Sequence, residues 1–264
     1  MDNQLTPITL FGIEAALAAG ELLRQGFGGS FAVSSKSGLH NLVTEYDHRA
    51  EEQIISFLRS EFPSSEFLAE ESGGKNTSSS SLQWIIDPLD GTVNFAHGIP
   101  IFSVSIAAMQ NNEILSGVVY QPITHELFVA QKNGGATLNG IPIRVSKTDE
   151  LKKGILATGL PYNLAENPGD CIGHFTDILQ LGLPIRRLGS AAIDLCYVAS
   201  GRFDGFFEIS LAPWDCAAGV LIVEEAGGKI TSWDGEKLDP FSYGSVLASN
   251  GHLHNALAKV LQRR

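Results

Sequence analysis

The sequence predicts an α+β chain whose sheets are layered between helices, antiparallel in the N-terminal part and mixed in the C-terminal part. Two observations carry this reading. Residues 82–146 alternate with a period of two between tight-turn signals, which marks an antiparallel meander. After Lys152 short apolar runs alternate with helical stretches, which marks an α/β half over 151–264 following an α+β half over 1–150. With no internal repeat and no long linker, the two halves are expected to form one catalytic domain over 1–264.

The elements follow in order. A first helix is expected over Thr9 to Gln25, with Leu10, Ile13, Leu17, Leu22 and Leu23 toward one side and Gly26-Phe27-Gly28-Gly29 ending it. A second runs from Asp47 to Phe62, with Ala50, Ile54, Phe57, Leu58 and Phe62 at helical spacing and Pro63 as its stop. Ser72 to Ser81 reads as a surface loop, and Leu82 to Ile86 as the first central strand. Phe102, Val104, Ile106 and Ala108 alternate with smaller residues. Asn111-Asn112 turns the chain into Ile114 to Tyr120, and Glu126 to Ala130 resumes the sheet; Asn133-Gly134-Gly135 and Asn139-Gly140 signal hairpins. Strands are then expected at Ile155 to Thr158, Ile185 to Leu188, Phe206 to Ile209 and Val246 to Ser249. Helices are expected at Asp170 to Leu181, Gly189 to Ser200, Trp214 to Ala226 and His252 to Leu261.

Composition bounds the function. A 44% apolar fraction and 18% charge over 264 residues suit a globular core rather than disorder. The net charge of -11 argues against a nucleic-acid-coating surface, which needs clustered Lys and Arg. No stretch approaches the roughly 20 apolar residues that span a bilayer, and the N-terminus resembles no signal peptide. Cys171, Cys196 and Cys216 are scattered and odd in number, as expected of reduced thiols in the cytoplasm.

Chemistry concentrates in acidic residues. Asp87-Pro88-Leu89-Asp90-Gly91-Thr92 places two carboxylates at the end of a buried strand, a costly arrangement unless they are paired or metal-bound. Gly91-Thr92 then offers backbone N–H groups to an anion. Glu70-Glu71 precede this segment and Asp215 follows far downstream. Asp47 fits a capping box with Thr44, Glu70-Glu71 fits a solvated turn, and Asp215 fits a helix N-cap. Together the four acidic sites read as a divalent-metal, phosphate-handling centre, because gathered carboxylates repel one another unless cations intervene. A phosphate dianion would be repelled by an acidic pocket, so metal is a requirement of this reading. Neither a nucleotide P-loop nor a G-x-S-x-G elbow is present. The D-x-D core of an aspartyl-nucleophile phosphatase is also missing, since two residues separate Asp87 from Asp90. His97 is expected to pack or support the site rather than bind metal, and His252 and His254 are expected at the surface.

Four motifs bear a family resemblance: Asn41-Leu42-Val43-Thr44-Glu45-Tyr46-Asp47, Glu70-Glu71-Ser72, the segment from Trp84 to Phe95, and Trp214-Asp215-Cys216-Ala217-Ala218-Gly219 with Glu225-Ala226-Gly227-Gly228. Together they resemble the inositol monophosphatase family of Mg²⁺-dependent, lithium-sensitive sugar phosphatases, nearly end to end. The resemblance implies a layered αβαβα fold, a homodimer, and two to three Mg²⁺ per site. By position, Glu70, Asp87 and the Leu89 carbonyl would hold one metal, and Asp87, Asp90 and Asp215 a second. Glu70 and Glu71 with the mobile-loop Lys36 would lie near a weaker third. Asp47 and Thr92 would position the attacking water, with Glu70 assisting. Asp90, Gly91, Thr92, Gly189, Ser190, Ala191 and Glu208 would contact substrate. Asn41 departs from the Asp that many members carry, which bears on loop anchoring rather than on a ligand.

The expected activity is hydrolysis of inositol monophosphate or a similar polyol phosphate by metal-activated water, without a phosphoenzyme. Fructose 1,6-bisphosphate and histidinol phosphate are alternatives, and nucleotides rank last for want of a basic stripe or stacked aromatics. A bisphosphate would need extra cations, for which Arg186 and Arg187 are the candidates. From another class, a regulatory binding protein could keep the same fold.

Overall fold

A computed structural model describes residues 4–36, 41–74, 81–239 and 244–263. The chain begins with helix α1 (Pro7–Gly26), a short hairpin of β1 (Val33–Ser35) and β2 (Leu42–Thr44), and helix α2 (Glu45–Glu61). Seven strands follow: β3 (Glu66–Ala69), β4 (Gln83–Asp90), β5 (Ser103–Gln110), β6 (Glu113–Gln121), β7 (Glu126–Gln131), β8 (Gly135–Leu138) and β9 (Ile141–Pro142). A five-residue helix α3 (Thr92–Ala96) sits between β4 and β5. The C-terminal half runs β10 (Leu156–Thr158), α4 (Cys171–Gln180), β11 (Ile185–Arg186), α5 (Ala191–Ala199), β12 (Gly205–Ile209), α6 (Pro213–Glu225), β13 (Lys229–Thr231), β14 (Ser245–Ser249) and α7 (His254–Leu261).

The strands form a sheet in the order β3 to β9 and a second in the order β11-β10-β12-β14-β13. The meander expected over 82–146 is present, with β3 added parallel to β4 at its edge. Asn111, Asn112, Asn133 and Asn139 all take positive φ in its turns, as the Asn-rich signals require. The second sheet is mixed: β10 pairs parallel with β11 and β12, and β14 pairs antiparallel with β12 and β13. The hairpin β1–β2 and strand β13 carry too few residues to show a period and were not expected.

Side-chain alternation sorts residues between two cores rather than between core and water. On β4 and β5, Trp84, Ile86, Val104 and Ile106, with Phe102 just before β5, pack with α1 and α2 residues, whereas Ile85, Ala107 and Met109 pack with α5 and α6. On the second sheet, Phe206, Val246 and Ala248 face that same middle layer, and Phe207 and Leu247 face Ile178 of α4 and Leu257 of α7. The order is therefore helices, sheet, helices, sheet, helices: the expected αβαβα layering. Helix α6 lies in the middle layer, so Cys216 to Val223 are all buried and no amphipathic stripe is seen.

Two expectations are corrected. Leu10 and Leu17 of α1 are exposed, at 45% and 39%. The buried face is instead Gly12, Ala15, Ala16, Ala19, Gly20 and Leu23, because small residues let the helix approach the first sheet closely. A Cβ on Gly20 would lie 2.4 Å from the Tyr120 ring. His254 is 1% exposed rather than a surface residue. Its Nε2 hydrogen-bonds the Thr231 hydroxyl at 2.9 Å and its Nδ1 the Ser249 hydroxyl at 3.0 Å, and burial pushes its pKa down to about 4. His252 is exposed, as expected. The loop expected over Ser72 to Ser81 lies largely outside the described residues.

Candidate active site

Strand β4 does not stop before its carboxylates; it runs through Asp87, Pro88, Leu89 and Asp90 with a register shift between the two aspartates. A bulge tolerates Pro88, which cannot donate to the ladder. Gly91 then turns with φ of 99°, and a Cβ there would lie 3.0 Å from the Ile101 carbonyl and 3.2 Å from that of Gly189. Only glycine suits this position. Asn94 of α3 donates to the Ile101 and Leu188 carbonyls at 2.7 and 2.8 Å, joining the turn to the segment that carries Gly189.

Asp47 is fully buried and serves two structures at once. Its Oδ2 accepts from the Thr44 amide at 2.7 Å and the Thr44 hydroxyl at 2.6 Å, which closes the capping box of α2. Its Oδ1 accepts from the Thr92 hydroxyl at 2.9 Å, and that hydroxyl also lies 3.0 Å from the Leu89 carbonyl. Burial raises the Asp47 carboxyl, opposed by these hydrogen bonds.

The remaining carboxylates arrive from three separate segments. Glu70 and Glu71 follow β3, and Lys36 donates to them at 2.8 and 2.5 Å. Glu51, one helical turn beyond Asp47 and 4% exposed, accepts from the Glu71 and Ser72 amides at 2.8 Å each. It fixes the Glu70-Glu71 turn; the sequence signal was its i+4 spacing from Asp47. Asp90 accepts from the Ser190 hydroxyl at 2.5 Å and the Ala192 amide at 2.8 Å, which ties β4 to the start of α5. Asp215 accepts from the Ala212 amide at 2.6 Å as the third residue of α6.

Burial raises Asp87 well above the usual carboxylate range, and Glu70, Asp90 and Asp215 push in the same direction. Asp90 is pushed up to about 6, by burial first. Asp215 is raised by burial and then by Asp90. Among the described residues no three acidic, His or Cys side chains form a closed ligand group. As hard oxygen donors whose mutual repulsion a cation would relieve, the carboxylates nonetheless fit the chemistry of a divalent metal.

Beside them opens a cavity of about 700 Å³ lined by Asp90, Gly91, Ser190, Asp194, Glu208 and Asp215 among others. Gly189 and Ala191 also line it; Asp47, Glu70, Asp87 and Thr92 lie outside its wall. Burial pushes Glu208 up to about 8, helped by Asp215 and Asp90. The Glu208 carboxylate rests on Gly159, where an added Cβ would come within 2.1 Å of both oxygens. Asp194, which sequence reading missed, is 1% exposed and its Oδ1 has no hydrogen-bond partner among the described residues. His97 is exposed at the end of α3, not packed as expected. Cys216 is buried with its thiol raised, which leaves it inert.

A layered αβαβα chain with buried acids converging on a glycine turn is the architecture of the sugar-phosphate phosphatases that the motifs resemble. The chain belongs to the inositol monophosphatase family, whose sequence pattern matches residues 4–264. It is 43% identical to the inositol-1-monophosphatase of Synechocystis over 94% of this chain and 86% of that one. It is 42% identical to the Nus factor SuhB of Haemophilus influenzae over 87% of this chain and 86% of that one. The crystal structure of the extragenic suppressor protein SuhB from Bartonella henselae matches with a TM-score of 0.91 at 38% identity, covering 98% of this chain and 99% of that one.

Proposed function

We propose that this protein is a Mg²⁺-dependent phosphomonoesterase that hydrolyses inositol monophosphate or a similar polyol phosphate by direct attack of water. The observation that carries the reading is the hydrogen bond from Thr92 to Asp47 beside the mutually repelling carboxylates of Glu70, Asp87, Asp90 and Asp215, which three further chain segments supply. The relative named inositol-1-monophosphatase supports the same substrate class.

In this reading Glu70, Asp87, Asp90, Asp215 and the Leu89 carbonyl hold the metals, which, when bound, activate water and stabilise the departing oxygen. Thr92 Oγ1 has its own proton committed to Asp47 or Leu89. It therefore accepts from the attacking water and leaves that water's lone pair facing phosphorus. The Gly91 and Thr92 amides receive the phosphate. Ser190 holds Asp90 in place from α5, and Glu208 with the Gly189-Ser190-Ala191 segment contacts the hydroxyls of the alcohol. Lys36, already on Glu70 and Glu71, adjusts the charge at the cleft edge. Assembly as a homodimer in the cytoplasm belongs to the same proposal.

The test is phosphate release from inositol 1-phosphate, fructose 1,6-bisphosphate and histidinol phosphate, with Mg²⁺ and with chelator. Release that needs Mg²⁺, is inhibited by Li⁺ and favours inositol 1-phosphate supports the reading; chelator-insensitive release overturns the site assignment. The relative named Nus factor favours one second reading, a regulatory role on the same fold. Asp90→Asn decides between them: loss of the cellular function together with hydrolysis supports the enzyme, and loss of hydrolysis alone supports the regulator.

A further inference from the structure

Of the two arginines that adjoin the Gly189 segment, the structure separates one from the other. Arg186 is exposed on β11 and donates to the carbonyl of Ile185, away from the cavity. Arg187 lines the cavity. Among the described residues it is the single basic side chain in that wall, whose ionisable members are otherwise Asp90, Glu166, Asp194, Glu208, Asp215 and Tyr162.

Arg187 could be a structural ion-pair residue, and the structure does not use it so. Arg24 pairs with Glu21 and Arg202 with Glu126, while Arg49 and Arg59 lie over the rings of Tyr46 and Phe67. Among the described residues Arg187 makes no salt bridge, hydrogen bond or ring contact of this kind. Arg187 favours the charged forms of Asp194 and Glu208, but as a smaller influence than burial. Glu166 is held by Asn163 at 2.9 Å, and Asp194 and Glu208 are both driven toward their neutral forms by burial. A guanidinium with no ion pair or hydrogen bond among the described residues thus sits at the rim of an acidic cavity. The cavity, at about 700 Å³, is large enough for more than a minimal monophosphate.

We infer that Arg187 reads a second anionic group, phosphate or carboxylate, on the alcohol portion of the substrate, so that between otherwise matched polyol or sugar phosphates the doubly anionic member is the better substrate. The inference rests on the phosphatase reading above and narrows it. The scissile phosphate lies toward Gly91 and Asp90, and Arg187 offers a bidentate fork to an anion carried elsewhere on the same molecule.

The experiment measures kcat/KM at fixed free Mg²⁺ for two matched pairs: fructose 1-phosphate against fructose 1,6-bisphosphate, and glycerol 2-phosphate against 2-phosphoglycerate. Wild type, Arg187→Gln and Arg187→Lys are compared. The expected result is a wild-type preference for the doubly anionic member of at least one pair. In Arg187→Gln that preference falls by about tenfold to a hundredfold, and Arg187→Lys keeps part of it. A change confined to the fructose pair identifies phosphate as the second group; a change confined to the glycerol pair identifies carboxylate. Release from all compounds with ratios unmoved by Arg187→Gln overturns this inference alone. No release from any compound overturns the phosphatase reading and the inference together.

Discussion

Thr44 and Thr92 each hold one oxygen of Asp47, so one buried carboxylate caps the start of a helix and faces the acidic centre. The carboxylate that closes a capping box is also the one proposed to help position the attacking water. Glu208 depends on its surroundings in a different way, because it stands where it does only while Gly159 lacks a side chain. The clash in Gly159→Ala would fall on the end of a side chain rather than on backbone, so the carboxylate swings aside and the fold persists. Gly159→Ala is expected to lower kcat/KM for polyol phosphates by about tenfold, roughly 1.4 kcal/mol of transition-state binding, with little change in the Mg²⁺ requirement. Steady-state kinetics against Mg²⁺ concentration checks both halves; a shift in the Mg²⁺ requirement alone would contradict the role given to Glu208.

Among the elements, the middle helices are set by close approach. A Cβ on Gly117 of β6 would lie 2.6 Å from the Ala218 carbonyl oxygen and 3.1 Å from its Cα, both backbone atoms that cannot turn away. Gly117→Ala is therefore expected to cost about 1–3 kcal/mol through overpacking between α6 and the first sheet, read as a lower denaturant midpoint with an unchanged slope. Asp215 lies in the first turn of α6, so if it holds metal as proposed the variant also weakens Mg²⁺ binding as the helix shifts. A midpoint equal to wild type would show that the two layers are less tightly joined than the distances indicate.

At the scale of the whole molecule, α7 closes the second sheet through His254. Its ring is buried between Thr231 of β13 and Ser249 of β14, with Lys229 nearby also disfavouring charge. Its folded pKa, about 4, lies below the ordinary 6.5, so the unfolded chain binds the extra proton between these values. Stability from this residue is then complete above about pH 6.5 and is lost as pH falls toward 4. The loss should reach on the order of 2 kcal/mol by pH 4. Thermal melts of wild type and His254→Gln from pH 4 to 8 isolate the contribution: the wild-type curve should fall more steeply on the acid side, and parallel curves would exclude it.

The layered class, the antiparallel meander, the acidic motifs and the family were all legible in the one-dimensional chain. Period-two alternation, Asn-Gly turns and the Asp87-to-Thr92 segment are local patterns that backbone sterics and hydrogen bonding impose wherever they occur. Other features needed the tertiary structure. Small residues in α1 look like poor core formers until a sheet is placed against them, so apolar spacing alone puts Leu10 and Leu17 on the wrong face. His254 and Asp194 gave no signal, because burial of a polar residue is decided by which distant elements cover it. Glu51 and Asn94 likewise act through backbone groups 20 and 94 residues away. By itself, then, the sequence determined which residue types could do the chemistry and which local elements carry them. Only the tertiary structure decided which of two adjacent arginines faces the cavity, and how the acids' oxygens are engaged. Contacts between segments remote in the chain have no period or spacing for a sequence to display.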